Sequence, residues 1–269
     1  MKYKQWGAVV AGTVRRLAKV PREFSNWPAI WAVFVTATLT GRPRMMRFVS
    51  RAGTVIRCPS GITSRAAAFE VFVDDCYRME WALTPFSGMS PVVVDVGAHV
   101  GSFSLRLLEV CPGATVHCYE PSRTTAEYLR RNASANNASI TVHQVAVSAQ
   151  TGTALFTDGQ NASTINRLDA DAPNATQVTT LSFRDVLNAI PAKPGLVKLD
   201  CEGAEYDIVL TSTREDWESV ERLIMEYHPA PDHTWDELEA RLGSFGFETL
   251  AVYRISDSLG TAWFGKPDH

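Results

Sequence analysis

The chain of 269 residues predicts an α/β fold: a doubly wound parallel sheet closed by a terminal hairpin and preceded by a helical and hairpin extension. Three observations carry this. From Pro91 onward short apolar runs alternate with helix-period segments, the rhythm of strands and crossover helices. The first run ends in a glycine-rich turn and later runs end in acids, which suits the carboxyl edge of such a sheet, where ligands bind. The composition, 45% hydrophobic and 20% charged, is that of a globular protein and excludes disordered, collagenous and disulfide-scaffold classes.

Taken in order, Met1 to Leu39 reads as one or two helices broken at Pro21 and Pro28. Arg47 to Cys58, with Ala-Gly near its middle, reads as a β-hairpin, and Ala66 to Leu83 as helical or mixed. Val92 to Val96 is a continuous apolar strand, followed by the loop Gly97 to Gly101 and a helix over Ser102 to Val110. Thr115 to Tyr119, Thr141 to Ser148, Leu196 to Leu199 and Arg222 to Tyr227 are the next strands. Helices are expected over Arg123 to Ala135, Phe183 to Ala189, from Tyr206 to Thr211 and over Trp235 to Leu242, the last with Gly243 and Gly246 as stops. The polar stretch from Thr157 to Thr176 reads as a loop or a pair of short strands. Thr249 to Ile255 and Ala262 to Gly265 flank a Ser-Asp-Ser-Leu-Gly turn.

Charge is unevenly spread. The net charge is −3, yet residues 1–57 hold 11 Lys and Arg against Glu23 alone, which makes that segment +10 and the remainder −13. An acidic body argues against nucleic acid as a partner. Five widely spaced cysteines without a Cys-x-x-Cys pair indicate neither a disulfide framework nor a zinc site, and fit a cytoplasmic protein. The apolar stretch Ala29 to Leu39 has 11 residues, against the ~20 needed to cross a bilayer. The expected domains are an extension over 1–57, a connecting segment over 58–90 packed on the sheet, and a main domain over 91–269.

Three motifs carry chemistry. Asp95-Val96-Gly97-Ala98-His99-Val100-Gly101 closes the first strand of the regular region, where glycines permit a tight turn and close approach of a ligand. It lacks the Gly-x-Gly-x-x-Gly spacing that cradles a pyrophosphate, since 99 and 102 are His and Ser. Glu120, at the end of the next strand and about 20 residues beyond the glycine loop, is placed to accept both hydroxyls of a ribose. Lys198-Leu199-Asp200-Cys201-Glu202-Gly203-Ala204-Glu205 brings acids to the same edge. Buried acids are unfavourable unless paired, so Asp200 and Glu202 read as functional, while Glu205 reads as a helix cap in solvent.

In order and spacing these motifs resemble the FkbM-type S-adenosylmethionine-dependent methyltransferases. The likeness runs from about Val92 to His228, and residues 198–205 look like that family's Lys-Ile-Asp-Val-Glu-Gly-Ala-Glu signature. Glu120-Pro121, Leu129 to Asn132 and Ala146 to Ser148 with Gly152 add to it. The resemblance implies a Rossmann-like class I methyltransferase sheet of about seven strands whose last strand is antiparallel. It implies S-adenosylmethionine as cofactor, with Asp95, Gly97 and Gly101 along its methionine half, Glu120 on the ribose, Ala146 and Val147 along the adenine, and Asp200 nearest the sulfonium. His99 stands in the same loop where the family is expected to carry Asn, and is counted with the cofactor-binding set.

The expected activity is O-methylation of a hydroxyl on a sugar, glycolipid or other natural product. Asp-Cys-Glu-Gly is not the Pro-Pro turn of base N-methylation, and Cys201 lacks the preceding Pro of cytosine methylation. His228 is the first candidate for the base, Asp200 the second and His233 the third, with Glu202 beside them; His117 and His143 read as structural. Asp200, Glu202 and Glu226 could also hold Mg²⁺, but no Asp-Asp pair follows their strands and no metal is expected. A non-catalytic cofactor-binding or membrane-docking module is the alternative. Trp6, Trp27 and Trp31 among the cations of 1–57 suit either peripheral contact at the inner face of the membrane, near a lipid-linked acceptor, or a helix packed on the body.

Overall fold

The computed structural model describes residues 15–157, 175–230 and 232–267. Helices α1 (15–23) and α2 (Trp27–Thr40) open it. The break falls at 24–26 and not at Pro21, because Asn26 leaves the helix to serve the hairpin: its side chain donates to Arg47 O at 2.7 Å and accepts from Val49 N at 2.9 Å. Pro28 stands in the first turn of α2, where a missing amide has no helical partner to lose. Strands β1 (Met45–Val49) and β2 (Val55–Pro59) form the expected antiparallel hairpin, burying Met46, Phe48, Ile56 and Cys58 on one face. Helices α3 (Ile62–Phe72) and α4 (Met79–Leu83) lead to the sheet.

The regular part runs β3 (Val92–Val96), α5 (Ser102–Val110), β4 (Thr115–Tyr119), α6 (Arg123–Ala135), β5 (Ile140–His143), β6 (Ala146–Ser148), β7 (Gly152–Thr157), β8 (Ala175–Ser182), α7 (Phe183–Ala189), β9 (Leu196–Leu199), α8 (Ala204–Thr211), β10 (Arg222–Tyr227), α9 (Trp235–Ser244), β11 (Glu248–Ser256) and β12 (Leu259–Gly265). Seven strands lie in the order β11-β12-β10-β9-β3-β4-β5. Those from β10 to β5 are parallel, and β12 runs antiparallel to both neighbours. This is the sheet that the resemblance implies, with an antiparallel last strand.

One strand is two. The run from Thr141 to Ser148 divides after His143, and β6 pairs with β8 in a separate sheet of order β6-β8-β7. Ala146, Val147 and Ser148 are all buried, so they need cover on both faces, which the edge position beyond β4 does not supply. The stretch from Thr157 to Thr176 lies almost wholly outside the described residues; its borders, Thr157 and Ala175, pair antiparallel.

The described part of the extension is continuous with the body: Val20, Phe24, Ile30, Met46, Phe48 and Ile56 share one core with Phe103, Leu105, Val93 and Val116. Asn132 of α6 fastens the hairpin to the glycine loop: fully buried, it accepts from Arg57 N at 2.9 Å and donates to Arg57 O at 3.0 Å and Val100 O at 2.9 Å.

Replacing Asn132 by Ala strands an amide and two carbonyls, and each unmet buried group costs ~1–3 kcal/mol. Denaturant unfolding of Asn132→Ala is expected to show a loss of at least ~2 kcal/mol, and an unchanged midpoint would show that water replaces these bonds.

Candidate active site

The carboxyl ends of β3, β4, β9 and β10 converge on a cavity of about 620 Å³, within the usual ~300–1,000 Å³ of small-molecule sites. Two glycines shape the loop that borders it, and Gly97 alone of them lines it. Gly97 has φ +71°, and a Cβ there would lie 1.7 Å from the Asp200 carbonyl oxygen, so the loop after β3 meets the turn after β9 backbone to backbone. Gly97 N and Ala98 N both donate to Tyr119 O, at 2.9 and 3.2 Å, which ties the loop to the end of β4. Gly101, at φ +88°, makes room for Leu129 of α6, 2.4 Å from where its Cβ would stand.

On the β4 side the wall is formed by Val96, Ala98, Tyr119, Glu120, Ala146, Val147 and Phe156. Glu120 is buried, and its oxygens accept from His99 N and Ser122 N, each at 2.9 Å, which fixes the carboxylate in one orientation at the end of its strand. His99, at φ +51°, lines the cavity, and its Nδ1 is buried with no hydrogen-bond partner among the described residues. Burial pushes its imidazole down to about 4, so it is neutral. An apolar wall, an oriented acid and an orphaned ring nitrogen are the features that an adenosyl ligand can use.

On the β10 side the lining is acidic: Glu70, Asp200, Glu202 and Glu226 face the cavity with Tyr77, Lys198 and His228. Lys198 organises them. Its ammonium stands 3.2 Å from both Asp95 and Asp200 and donates to Gly97 O at 2.8 Å. Burial opposes its charge, yet these two acids hold its pKa above the ordinary lysine range. Burial would likewise raise Asp200, but Lys198, His228 and the Tyr77 hydroxyl, which donates to it at 3.0 Å, keep its carboxyl below the usual range.

His228 is differently placed. Its Nδ1 stands 3.0 Å from Glu205 Oε1 and its Nε2 3.6 Å from Glu202 and 3.9 Å from Glu226. Burial disfavours the imidazolium, but the Glu205 hydrogen bond and charge, with Asp200 and Glu202, overcome this and push His228 up to about 10. A histidine already protonated at neutral pH is a poor base. Glu226 moves the other way: burial and then Asp200 push it up to about 8, which poises it to exchange a proton near neutral pH.

The site thus brings Gly97, His99, Glu120, Ala146, Val147, Asp200, Glu202 and His228 to one cavity. Asp95 and Gly101, expected along the methionine half, do not line it. Asp95 is fully buried, accepting from Ser104 Oγ at 2.6 Å and facing Lys198, because one residue inside the strand end its carboxylate projects from the sheet face that α5 covers. Glu205, expected as a solvated cap, is also fully buried, accepting from Cys201 N and Gly203 N, each at 2.7 Å, as well as facing His228. His233 is absent from the lining and stacks on Tyr206 at 5.8 Å. His117 and His143 stack on each other at 5.5 Å. Among the described residues no group of three or more His, Cys, Asp or Glu is arranged to hold a metal ion. In the sequence Lys198 reads only as part of its motif, without a role, and Tyr77 is not singled out. A lysine inside the apolar strand Leu-Val-Lys-Leu is itself a signal that buried acids must surround it; Tyr77 has no such signal.

Comparison with known proteins gives a consistent answer. The family model described as the methyltransferase FkbM domain matches residues 95–249. The 31-O-demethyl-FK506 methyltransferase FkbM of Streptomyces tacrolimicus is 27% identical over 237 residues, covering 73% of this chain and 89% of the relative. Methyltransferase sdnD of Sordaria araneosa is 28% identical, covering 66% and 80%. Methyltransferase 1 of Beauveria bassiana is 25% identical, covering 58% and 70%.

The protonation of His228 is open to measurement. Its folded value of about 10 lies above the ordinary 6.5, so its contribution to stability is full below about pH 6.5 and is lost as pH rises through about 10. NMR titration of the imidazole should give a midpoint near 10 in the wild type and a lower one in Glu205→Gln; a wild-type midpoint near 6.5 would mean that the Glu205 pair does not hold the proton.

Proposed function

The chain belongs to the FkbM methyltransferase family and is an S-adenosylmethionine-dependent methyltransferase, and we propose that it methylates oxygen, on a hydroxyl of a sugar, glycolipid or other natural product. The observation that carries this reading is the pairing of two unlike halves in one cavity: an apolar wall with an oriented acid, and an acidic end with a carboxyl group poised near neutral pH. A hydroxyl, unlike an amine or a thiolate, needs help to lose its proton, and vicinal hydroxyls are good partners for carboxylates. The relative in Streptomyces tacrolimicus, named for a 31-O-demethyl acceptor, supports the same class.

S-adenosylmethionine, when bound, supplies an electrophilic methyl group on a sulfonium. The chain's residues do the rest. Glu120, pinned by the His99 and Ser122 amides, would accept the ribose hydroxyls, and Ala146 and Val147 would hold the adenine. Asp200, kept ionised by Lys198 and Tyr77, would stabilise the cationic centre. Glu226 takes the proton of the acceptor hydroxyl, the role that the sequence suggests for His228. His228 instead remains a cation that holds Glu202 and Glu226 in place from one side while Glu205 holds it from the other. Positioning of the hydroxyl against the methyl carries much of the acceleration, up to ~7–11 kcal/mol in well-oriented cases.

Two variants divide the halves. Glu120→Ala removes charge-assisted hydrogen bonds worth ~1.5–3 kcal/mol each, so calorimetry should show S-adenosylhomocysteine binding at least ~10-fold weaker in a folded protein; unchanged affinity would remove Glu120 from the ribose.

Glu226→Gln should bind the cofactor normally and lose ~10²–10⁴-fold in turnover. Wild-type turnover should rise with pH as Glu226 ionises through about 8, and the variant should lack that limb. A screen of glycoside and glycolipid extracts for a mass gain of one methyl supplies the acceptor; a Glu226→Gln enzyme with wild-type turnover would assign the proton to another group.

A further inference from the structure

Helix α2 has no charged side chain from Trp27 to Thr40, yet Ile30 is its one buried residue. Trp31, Val35 and Leu39, spaced by four and so on one face, are 38%, 51% and 80% exposed. Its threonines ask nothing of water: Thr36, Thr38 and Thr40 donate to the carbonyls of Ala32, Phe34 and Thr36 at 2.7, 2.8 and 2.7 Å. Such a helix is built for an apolar medium. At ~1.5 Å per residue its 14 residues span ~21 Å, short of a ~30 Å hydrocarbon core, and no described helix is long and apolar enough to cross a membrane.

What lies beside it is cationic. Arg42 and Arg44 follow the helix directly and are exposed. Five residues after Thr40, Met45 opens a surface cleft of about 490 Å³ whose lining includes Arg57, Arg130 and Arg131 with Tyr128; Arg131 is paired with Glu127, while Arg57 and Arg130 form no ion pair among the described residues. Guanidinium groups grouped around a cleft match phosphate oxygens in both charge and geometry. An apolar face alone could take many partners; joined to an arginine cleft within five residues, it fits a surface that offers hydrocarbon and phosphate together.

From these two features we propose that the protein docks peripherally on an anionic phospholipid membrane, with α2 in the boundary between headgroups and acyl chains and the arginine cleft taking lipid phosphates. The same helix touches α3, which lines the cavity. Arg65 of α3 lies 4.7 Å over the ring of Phe34, and the next two residues, Ala66 and Ala67, line the cavity. A membrane-borne acceptor is thereby brought within one helix of the cavity, but docking does not depend on the identity of that acceptor.

The test is cosedimentation of the full-length protein with vesicles of phosphatidylcholine, with and without phosphatidylglycerol. Binding is expected to the anionic vesicles at low salt and to weaken as salt shortens the Debye length to ~8 Å near 0.15 M. Val35→Glu with Leu39→Glu should abolish it, and Leu39→Glu alone, at the most exposed position, should weaken it with no demand on folding. Arg57→Gln with Arg130→Gln should weaken binding to anionic vesicles by about thirtyfold, the ~2 kcal/mol equivalent of two arginines at ~1 kcal/mol each. No binding at low salt, or binding untouched by the glutamates, overturns the proposal. So does a dimer in sedimentation velocity that Val35→Glu with Leu39→Glu dissolves, which would assign the face to a second copy of the chain.

Discussion

The structure depends on one buried cation. Lys198 lies in the middle of the sheet between Asp95 on β3 and Asp200 at the end of β9, and donates as well to the carbonyl of Gly97. Without these partners an ammonium could not stay charged at that depth, and without the ammonium two acids would face each other across adjacent parallel strands. The glycine loop closes over this group because Gly97 has no side chain to hold it off the Asp200 carbonyl. The spacing of the two loops that frame the cavity is thus set by an ion cluster the solvent scarcely reaches.

From that cluster the electrostatics of the acceptor side follow. Asp200 stays ionised, and its charge is felt by Glu226, which burial has already made reluctant to ionise, and by His228, which it helps to keep protonated. The deeper partner of His228 is Glu205, a residue that a helix start would ordinarily expose. A cation fixed between acids and an acid poised near neutral pH form a division of labour: one group holds, the other exchanges a proton.

Residues 15–60 take part in this order more than their irregular sequence suggests. The hairpin of β1 and β2 joins the core against α3 and α6, Asn132 locks it to the glycine loop, and Tyr77 beyond it reaches Asp200. Its cations remain on the outside, Arg47 and Arg57 exposed between buried Met46, Phe48, Ile56 and Cys58. One segment therefore supports the site from within and carries the charge asymmetry on its surface.

The order and type of the elements were legible in the residues, and in places so were their limits: the helices over Ser102–Val110 and Phe183–Ala189 begin and end where caps, glycines and hydrophobic period say they should. So were the glycine loop, the acid after β4 and the acidic turn after β9, since these are local patterns at strand ends. What each side chain does there was decided by the tertiary fold. Asp95 looks like a ligand acid until Lys198 comes to lie beside it, and His228 looks like a base until Glu205, 23 residues earlier in the chain, takes its Nδ1. Tyr77 and Asp200 are 123 residues apart and meet only because the turn between α3 and α4 packs Tyr77 against Phe103 of α5. Even β6, apolar enough to extend β5, pairs instead with β8, where helices α7 and α8 pack on it. Periodicity and turn chemistry act over a few residues and can be read in line; protonation and burial depend on which charges and surfaces come within a few ångströms through space, and only the folded chain brings them there.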